Sequence, residues 1–157
     1  MGLEIERKFQ VVGDGWREKV VPTHYRQGYL AVGPPVSVRV RVADSKAMLN
    51  IKQSTLDIAR AEFEYEIPLA DAEHMLEHRC DGHIVEKNRY IIDFDGSRWE
   101  VDEFLGENEG LLIAETELDS IDQTFSRPPW LGPEVSEDER YFNSYLSQKP
   151  YNQWSEK

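Results

Sequence analysis

The chain has 157 residues, of which 39% are hydrophobic and 31% charged, enough for one domain with a buried core. Its formal net charge of −12 excludes a non-specific nucleic-acid binder. The acid surplus itself has two readings, a solvated surface or carboxylates that converge on metal ions. Cys80 is the single cysteine, so no intrachain disulfide forms and the thiol is expected to be packed or idle. No apolar run reaches bilayer-spanning length, and Glu4, Glu6, Arg7 and Lys8 interrupt any export signal, so no membrane partner and a cytoplasmic setting are expected.

The dominant period is two. Residues 3–12 set Leu3, Ile5, Phe9 and Val11 against Glu4, Glu6, Lys8 and Gln10, with only Arg7 breaking the apolar face. A strand over 23–32 follows, and then 36–43, VSVRVRVA, opposes four valines to Ser37, Arg39 and Arg41. Residues 47–53 set Leu49 and Ile51 against Asn50 and Lys52, and 60–67 set Phe63, Tyr65 and Ile67 against Glu62, Glu64 and Glu66. Helical spacing replaces alternation over 70–79, with Asp81-Gly82 as its stop signal. Strands return over 84–94 and 97–105, joined by an Asp95-Gly96 hairpin turn, and over 111–119. Beyond Pro128, Pro129 and Pro133 a helix is expected from near Ser136, where Glu139 completes a capping box. Eight short strands, an internal helix and a helical tail make an antiparallel α+β domain spanning 1–157.

The polar faces carry charge rather than neutral filler. Same-face neighbours two residues apart lie about 6.5–7 Å from each other, so repeated like charges repel. Glu4/Glu6, Arg39/Arg41, Glu62/Glu64/Glu66, Lys87/Arg89, Glu100/Asp102 and Glu115/Glu117 are such sets. Acid sets of this kind suit Mg²⁺ or Mn²⁺, and paired bases suit phosphate oxygens. If the strands close into a barrel with these faces inward, one lumen holds both signs and has room for one small ligand. The wet face of an ordinary sheet, with cross-strand ion pairs, remains the other reading. An outer-membrane barrel is disfavoured by the internal helix and by Arg7, Glu86 and Glu103 on the apolar faces.

Glu4-Ile5-Glu6-Arg7-Lys8 resembles the ExExK signature of the CYTH superfamily, the triphosphate tunnel metalloenzymes. The likeness continues in order through VRVRV (Arg39, Arg41), NIK (Lys52), EFEYEIP (Glu62, Glu64, Glu66), EKNRY (Lys87, Arg89), WEVDEF (Glu100, Asp102) and IAETEL (Glu115, Glu117), spanning 1–146. The resemblance implies an eight-stranded antiparallel closed β-barrel, a tunnel, with flanking helices. It implies metal-coordinating carboxylates at Glu4, Glu6, Glu115 and Glu117, with Glu62, Glu64 and Asp102 as acids for a second metal or for ordering water. Arg39, Arg41, Lys52, Lys87 and Arg89 resemble the phosphate-binding bases, and Lys8 a lysine that binds the ligand or orients the attacking water. Glu4, Glu6, Lys8 and Asp102 are thus the expected catalytic set, with two Mg²⁺ or Mn²⁺ ions. Glu66 shares the face without a clear role, and Glu66, Arg89 and Glu100 are alternatively lumen ion pairs.

The compact chain looks like the small bacterial members, whose common activity is hydrolysis of inorganic tripolyphosphate to pyrophosphate and phosphate. The alternatives are an adenylyl cyclase, for which Tyr25, Tyr29 or Trp99 would stack on adenine, and a non-catalytic polyphosphate-binding module. His74 and His78 lie four apart on the helix but lack a third ligand, so they read as a solvated face. The tail YFNSYLSQKPYNQW covers either a tunnel mouth, with Lys149 reaching a phosphate, or the outer wall, and the apolar outer faces suggest a homodimer.

Overall fold

A computed structural model describes residues 2–17 and 20–155. The strands are β1 (Gly2–Val11), β2 (Thr23–Ala31), β3 (Val36–Ala43), β4 (Lys46–Gln53), β5 (Ala59–Ile67), β6 (Asp81–Phe94), β7 (Ser97–Phe104), β8 (Leu112–Glu117) and β9 (Leu131–Glu134). The helices are α1 (Leu69–His78) and α2 (Asn143–Gln148). The sheet runs β5-β4-β3-β2-β6-β7-β8-β1, and β1 also pairs antiparallel with β5, which closes an eight-stranded barrel. The expected α+β barrel is therefore the architecture found. Among the described residues no helix is long and apolar enough to cross a membrane.

A ninth strand, which the sequence did not announce, lies outside that ring. β5 and β9 share one edge of β1: Glu6 N–H donates to Ile58 O, and further along Lys8 O accepts from Val135 N–H. Gly132 and Pro133 read as turn residues, but β9 needs only one bonded edge, which a proline tolerates. β9 also explains Arg7. Its guanidinium donates to Glu134 at 2.9 Å and lies 5.1 Å from the Phe125 ring, so the outward charge is paired. Glu103 is answered likewise by Arg17 at 2.7 Å, and Glu86 shares a hydrogen bond with His24 at 3.0 Å.

The alternating apolar faces point outward and are covered in two places. α1 lays Ala72 and Leu76 over Val40, Val42 and Ala47 on β3 and β4. On the other side Trp99, fully buried, packs edge-on against Phe9, Phe125 and Trp130. An aromatic or aliphatic side chain so buried contributes about 1.5–3 kcal/mol. Trp99 therefore belongs to the outer core and is not available to stack on a base in the lumen. The β6–β7 turn is the expected hairpin, with Asp95 at φ 49° and Gly96 at φ 82°. β6 begins earlier than expected, at Asp81, with Gly82 inside it at φ 78°.

The helical tail differs from expectation in its start. Ser136 caps no helix: its hydroxyl accepts Lys8 N–H at 2.9 Å and donates to Glu134 at 2.6 Å. Asp138 instead caps a single 3-10 turn over Glu139–Tyr141, and α2 follows. The tail packs Tyr141, Leu146 and Trp154 against Val85, Phe104 and Ile113. By alternation these last three share a face with Lys87, Asp102 and Glu115, so the tail fills one end of the lumen with apolar side chains. Lys149 stays exposed and away from the cavity.

Candidate active site

Beyond that apolar plug the inward faces line a cavity of about 360 Å³. Every expected site residue except Asp102 borders it: Glu4, Glu6 and Lys8 from β1, Arg39 and Arg41 from β3, and Lys52 from β4. Glu62 and Glu64 come from β5, Lys87 and Arg89 from β6, and Glu115 and Glu117 from β8. Glu100 also lines it, whereas Glu66 is exposed and does not. The lumen reading of the charged faces thus holds over the wet-sheet reading.

The barrel register sorts the charges by sign. Glu6 sits opposite Glu117 and Lys8 opposite Glu115 across β1 and β8. The acids press on one another. Burial, and then Glu115, pushes the Glu6 carboxyl well above the usual carboxylate range. Burial likewise raises Glu62 and Glu117, with Glu4 adding its charge to both. Lysines answer part of this charge. Lys52 Nζ is 3.0 Å from Glu4 and 3.2 Å from Glu62, and Lys8 Nζ is 3.4 Å from Glu115 and 3.9 Å from Glu6.

On the opposite side the bases are in excess. Arg39 is buried, makes no ion pair with a described side chain, and its Nε has no partner. An unpartnered buried guanidinium costs several kcal/mol unless an anion meets it. Burial, together with Arg39 and Arg89, lowers the Arg41 guanidinium to about 10. Its nearest acid, Glu64, stands 3.6 Å away. Burial lowers the Lys87 ammonium to about 8, partly offset by Asp102. The Tyr25 ring has Arg41 and Arg89 at 5.0 Å each, so those cations take the position next to the ring that a stacked base would need.

Asp102 lies behind this wall with no exposure. It accepts Arg89 Nε and Nη2 at 2.8 and 2.9 Å, and Lys87 Nζ lies 2.9 Å from it. Burial alone would raise its carboxyl, but Arg89 and Lys87 hold it below the usual range. Both oxygens are thus engaged by bases, and its geometry is that of a group that orients Lys87 and Arg89.

The carboxylates fit a hard divalent cation. The donors are glutamate oxygens alone, in a setting where extra positive charge relieves Glu6, Glu62 and Glu117. Among the described residues no three acids by themselves enclose an ion. Further lining residues that were not singled out from the sequence as site residues include Arg60, Arg98, Phe142, Asn143 and Ser144. Arg60 and Arg98 lie on the same alternating faces as Glu62 and Glu100, so that signal was present. Phe142, Asn143 and Ser144 come from the tail, whose placement depends on tertiary packing.

Comparison with known proteins agrees with this lumen. The CYTH domain profile matches residues 2–148. An inorganic triphosphatase of Acetivibrio thermocellus is 48% identical over 156 residues, covering 99% of this chain and all of the relative. An inorganic triphosphatase of Nitrosomonas europaea is 39% identical over 150 residues, covering 92% of this chain and 96% of the relative. The crystal structure of an inorganic triphosphatase superimposes with a TM-score of 0.66 at 36% identity, covering 94% of this chain and 95% of that one. From its first strand to its last helix, the chain belongs to the CYTH domain family.

Proposed function

We propose that the chain is an inorganic triphosphatase, hydrolysing tripolyphosphate to pyrophosphate and orthophosphate. The observation that carries this is the pair of opposite, only partly compensated charge clusters in one lumen, with Arg39 buried and without an acid partner among the described residues. A linear polyanion accompanied by divalent cations satisfies both clusters. The full-length relatives of the same activity support the choice of substrate.

Arg39, Arg41, Lys52, Lys87 and Arg89 would bind the phosphate oxygens and stabilise charge on the departing pyrophosphate. Asp102 keeps Arg89 and Lys87 aimed without touching substrate. Lys8, which lies between Glu6 and Glu115, would orient the attacking water against the terminal phosphorus. The water oxygen bonds to that phosphorus, the bond to the pyrophosphate oxygen breaks, and the water proton passes to solvent. Glu4, Glu6, Glu115 and Glu117, with Glu62 and Glu64 beside them, would hold Mg²⁺ or Mn²⁺, two ions in our reading. When bound, such ions neutralise phosphoryl charge and activate water.

The test incubates purified protein with tripolyphosphate, ATP or thiamine triphosphate, each with Mg²⁺ or Mn²⁺. Orthophosphate released chiefly from tripolyphosphate is expected. Cyclic AMP and pyrophosphate from ATP would instead make it a cyclase, and binding without turnover in every condition would leave only a binding module.

A further inference from the structure

Asn143 is the first residue of α2, and the tail carries it to the inner end of the charged cavity, where it is 8% exposed. Its Oδ1 accepts Gln27 Nε2 at 2.7 Å and Lys87 Nζ at 3.0 Å. An ammonium only donates, so the atom facing Lys87 is the oxygen and the amide orientation is fixed. Gln27 is fully buried, and among the described residues its own Oε1 has no partner while its Nε2 serves Asn143. The Asn143 Nδ2 group then has no acceptor among the described residues, although the residue lines the cavity. The adjoining Phe142 ring lies 5.1 Å from both Lys8 Nζ and the Arg60 guanidinium, which fixes this turn of chain against the cavity wall.

Resting on the triphosphatase reading, we infer that Asn143 is a substrate-binding residue: its amide N–H donates to a phosphate oxygen beside Lys87 while its carbonyl orients that lysine. The arrangement supplies a neutral, pre-oriented donor where another cation would add to the repulsion among Arg39, Arg41 and Lys87. The tail is therefore part of the site and not only its plug.

The experiment measures tripolyphosphate affinity by calorimetry in chelator, and KM and kcat with metal, for wild type, Asn143→Ala, Asn143→Asp and Gln27→Leu. Asn143→Ala should weaken affinity and raise KM about tenfold, with kcat within about threefold. Asn143→Asp still accepts from Lys87 and Gln27 but loses the donor, so its affinity should fall further while its Tm holds. That variant also decides the matter if Asn143→Ala fails to fold. Gln27→Leu should cost about threefold, and Gln27→Leu combined with Asn143→Ala should be no worse than Asn143→Ala alone. Wild-type affinity in Asn143→Asp, an affinity within twofold in Asn143→Ala, or additive losses in the double variant would each overturn the inference. Wild-type binding without hydrolysis would overturn the triphosphatase reading alone, and no wild-type binding or turnover with or without metal would overturn both.

Discussion

Lys87 Nζ lies 2.9 Å from Asp102 Oδ2, and neither side chain is more than 1% exposed. Removing one member of such a pair leaves the other charged group buried and unpaired, which costs about 3–5 kcal/mol. Asp102→Ala is therefore expected to destabilise the protein by about that amount, read as a shift in denaturant midpoint. Its residual activity should show raised KM, because Arg89 and Lys87 lose their aim. An unchanged midpoint would contradict the assignment of Asp102 as their shared anchor.

Arg39 has the opposite character, since it is buried without an anion of its own among the described residues. Arg39→Ala should raise KM for tripolyphosphate by about 10- to 100-fold, the cost of a charge-assisted contact, with a smaller change in kcat. It should leave stability unchanged or slightly improved, because a repulsive charge beside Arg41 is gone. Arg39→Lys should recover little, since an ammonium lacks the planar fork. Unchanged kinetics would place that side chain outside the substrate's reach.

The acid cluster sets activity against stability. Glu6→Gln removes a carboxylate that burial and Glu115 already disfavour, so the metal-free variant should unfold about 2–4 °C higher than wild type. The same change, like Glu117→Gln, should abolish turnover and weaken the stabilisation that Mg²⁺ or Mn²⁺ gives the wild type. Thermal melts with and without metal check both halves. Equal metal-induced shifts in wild type and variant would exclude Glu6 as a ligand.

Metal-free stability should pass through a maximum in mild acid. The Glu6, Glu62 and Glu117 carboxyls sit above their ordinary value of 4.5 in the fold. Their contribution is complete below that value and lost as pH rises through the raised ones. Asp102 and Glu115 have the reverse sign. Although burial opposes it, Arg89 and Lys87 hold Asp102 below its ordinary value, and Lys8 with the same two bases holds Glu115 well below its own. What they contribute is present above the ordinary carboxylate range and lost as pH falls through their depressed values. In chelator, Tm should climb as pH falls from neutrality toward the ordinary carboxylate range and drop once pH falls below that range. Added Mg²⁺ should flatten the climb. A Tm that falls steadily from neutral pH would contradict the crowding of the acids.

Much of this site was legible because a closed barrel preserves the strand's own period. Once Glu4 and Glu6 face inward, alternation places Lys8, and cross-strand register brings in Glu115 and Glu117. Arg60 and Arg98 obey the same rule, but with no like-charged base beside them on their strands they drew no attention. β9 was hidden because Gly132 and Pro133 carry local turn chemistry that one-sided pairing to β1 overrides. The Ser136 capping signal failed because a tertiary contact to Lys8 and a local one to Glu134 occupy its hydroxyl. Asn143 had no local signature at all, since only the folding of the tail into the barrel brings it to Lys87.

The most direct measurement of the central claim follows tripolyphosphate by ³¹P NMR with purified protein and Mg²⁺ or Mn²⁺. The charged lumen predicts orthophosphate and pyrophosphate accumulating in equal amounts, and neither in Glu117→Gln. A tripolyphosphate spectrum that stays unchanged over folded, metal-supplied wild-type protein would contradict it.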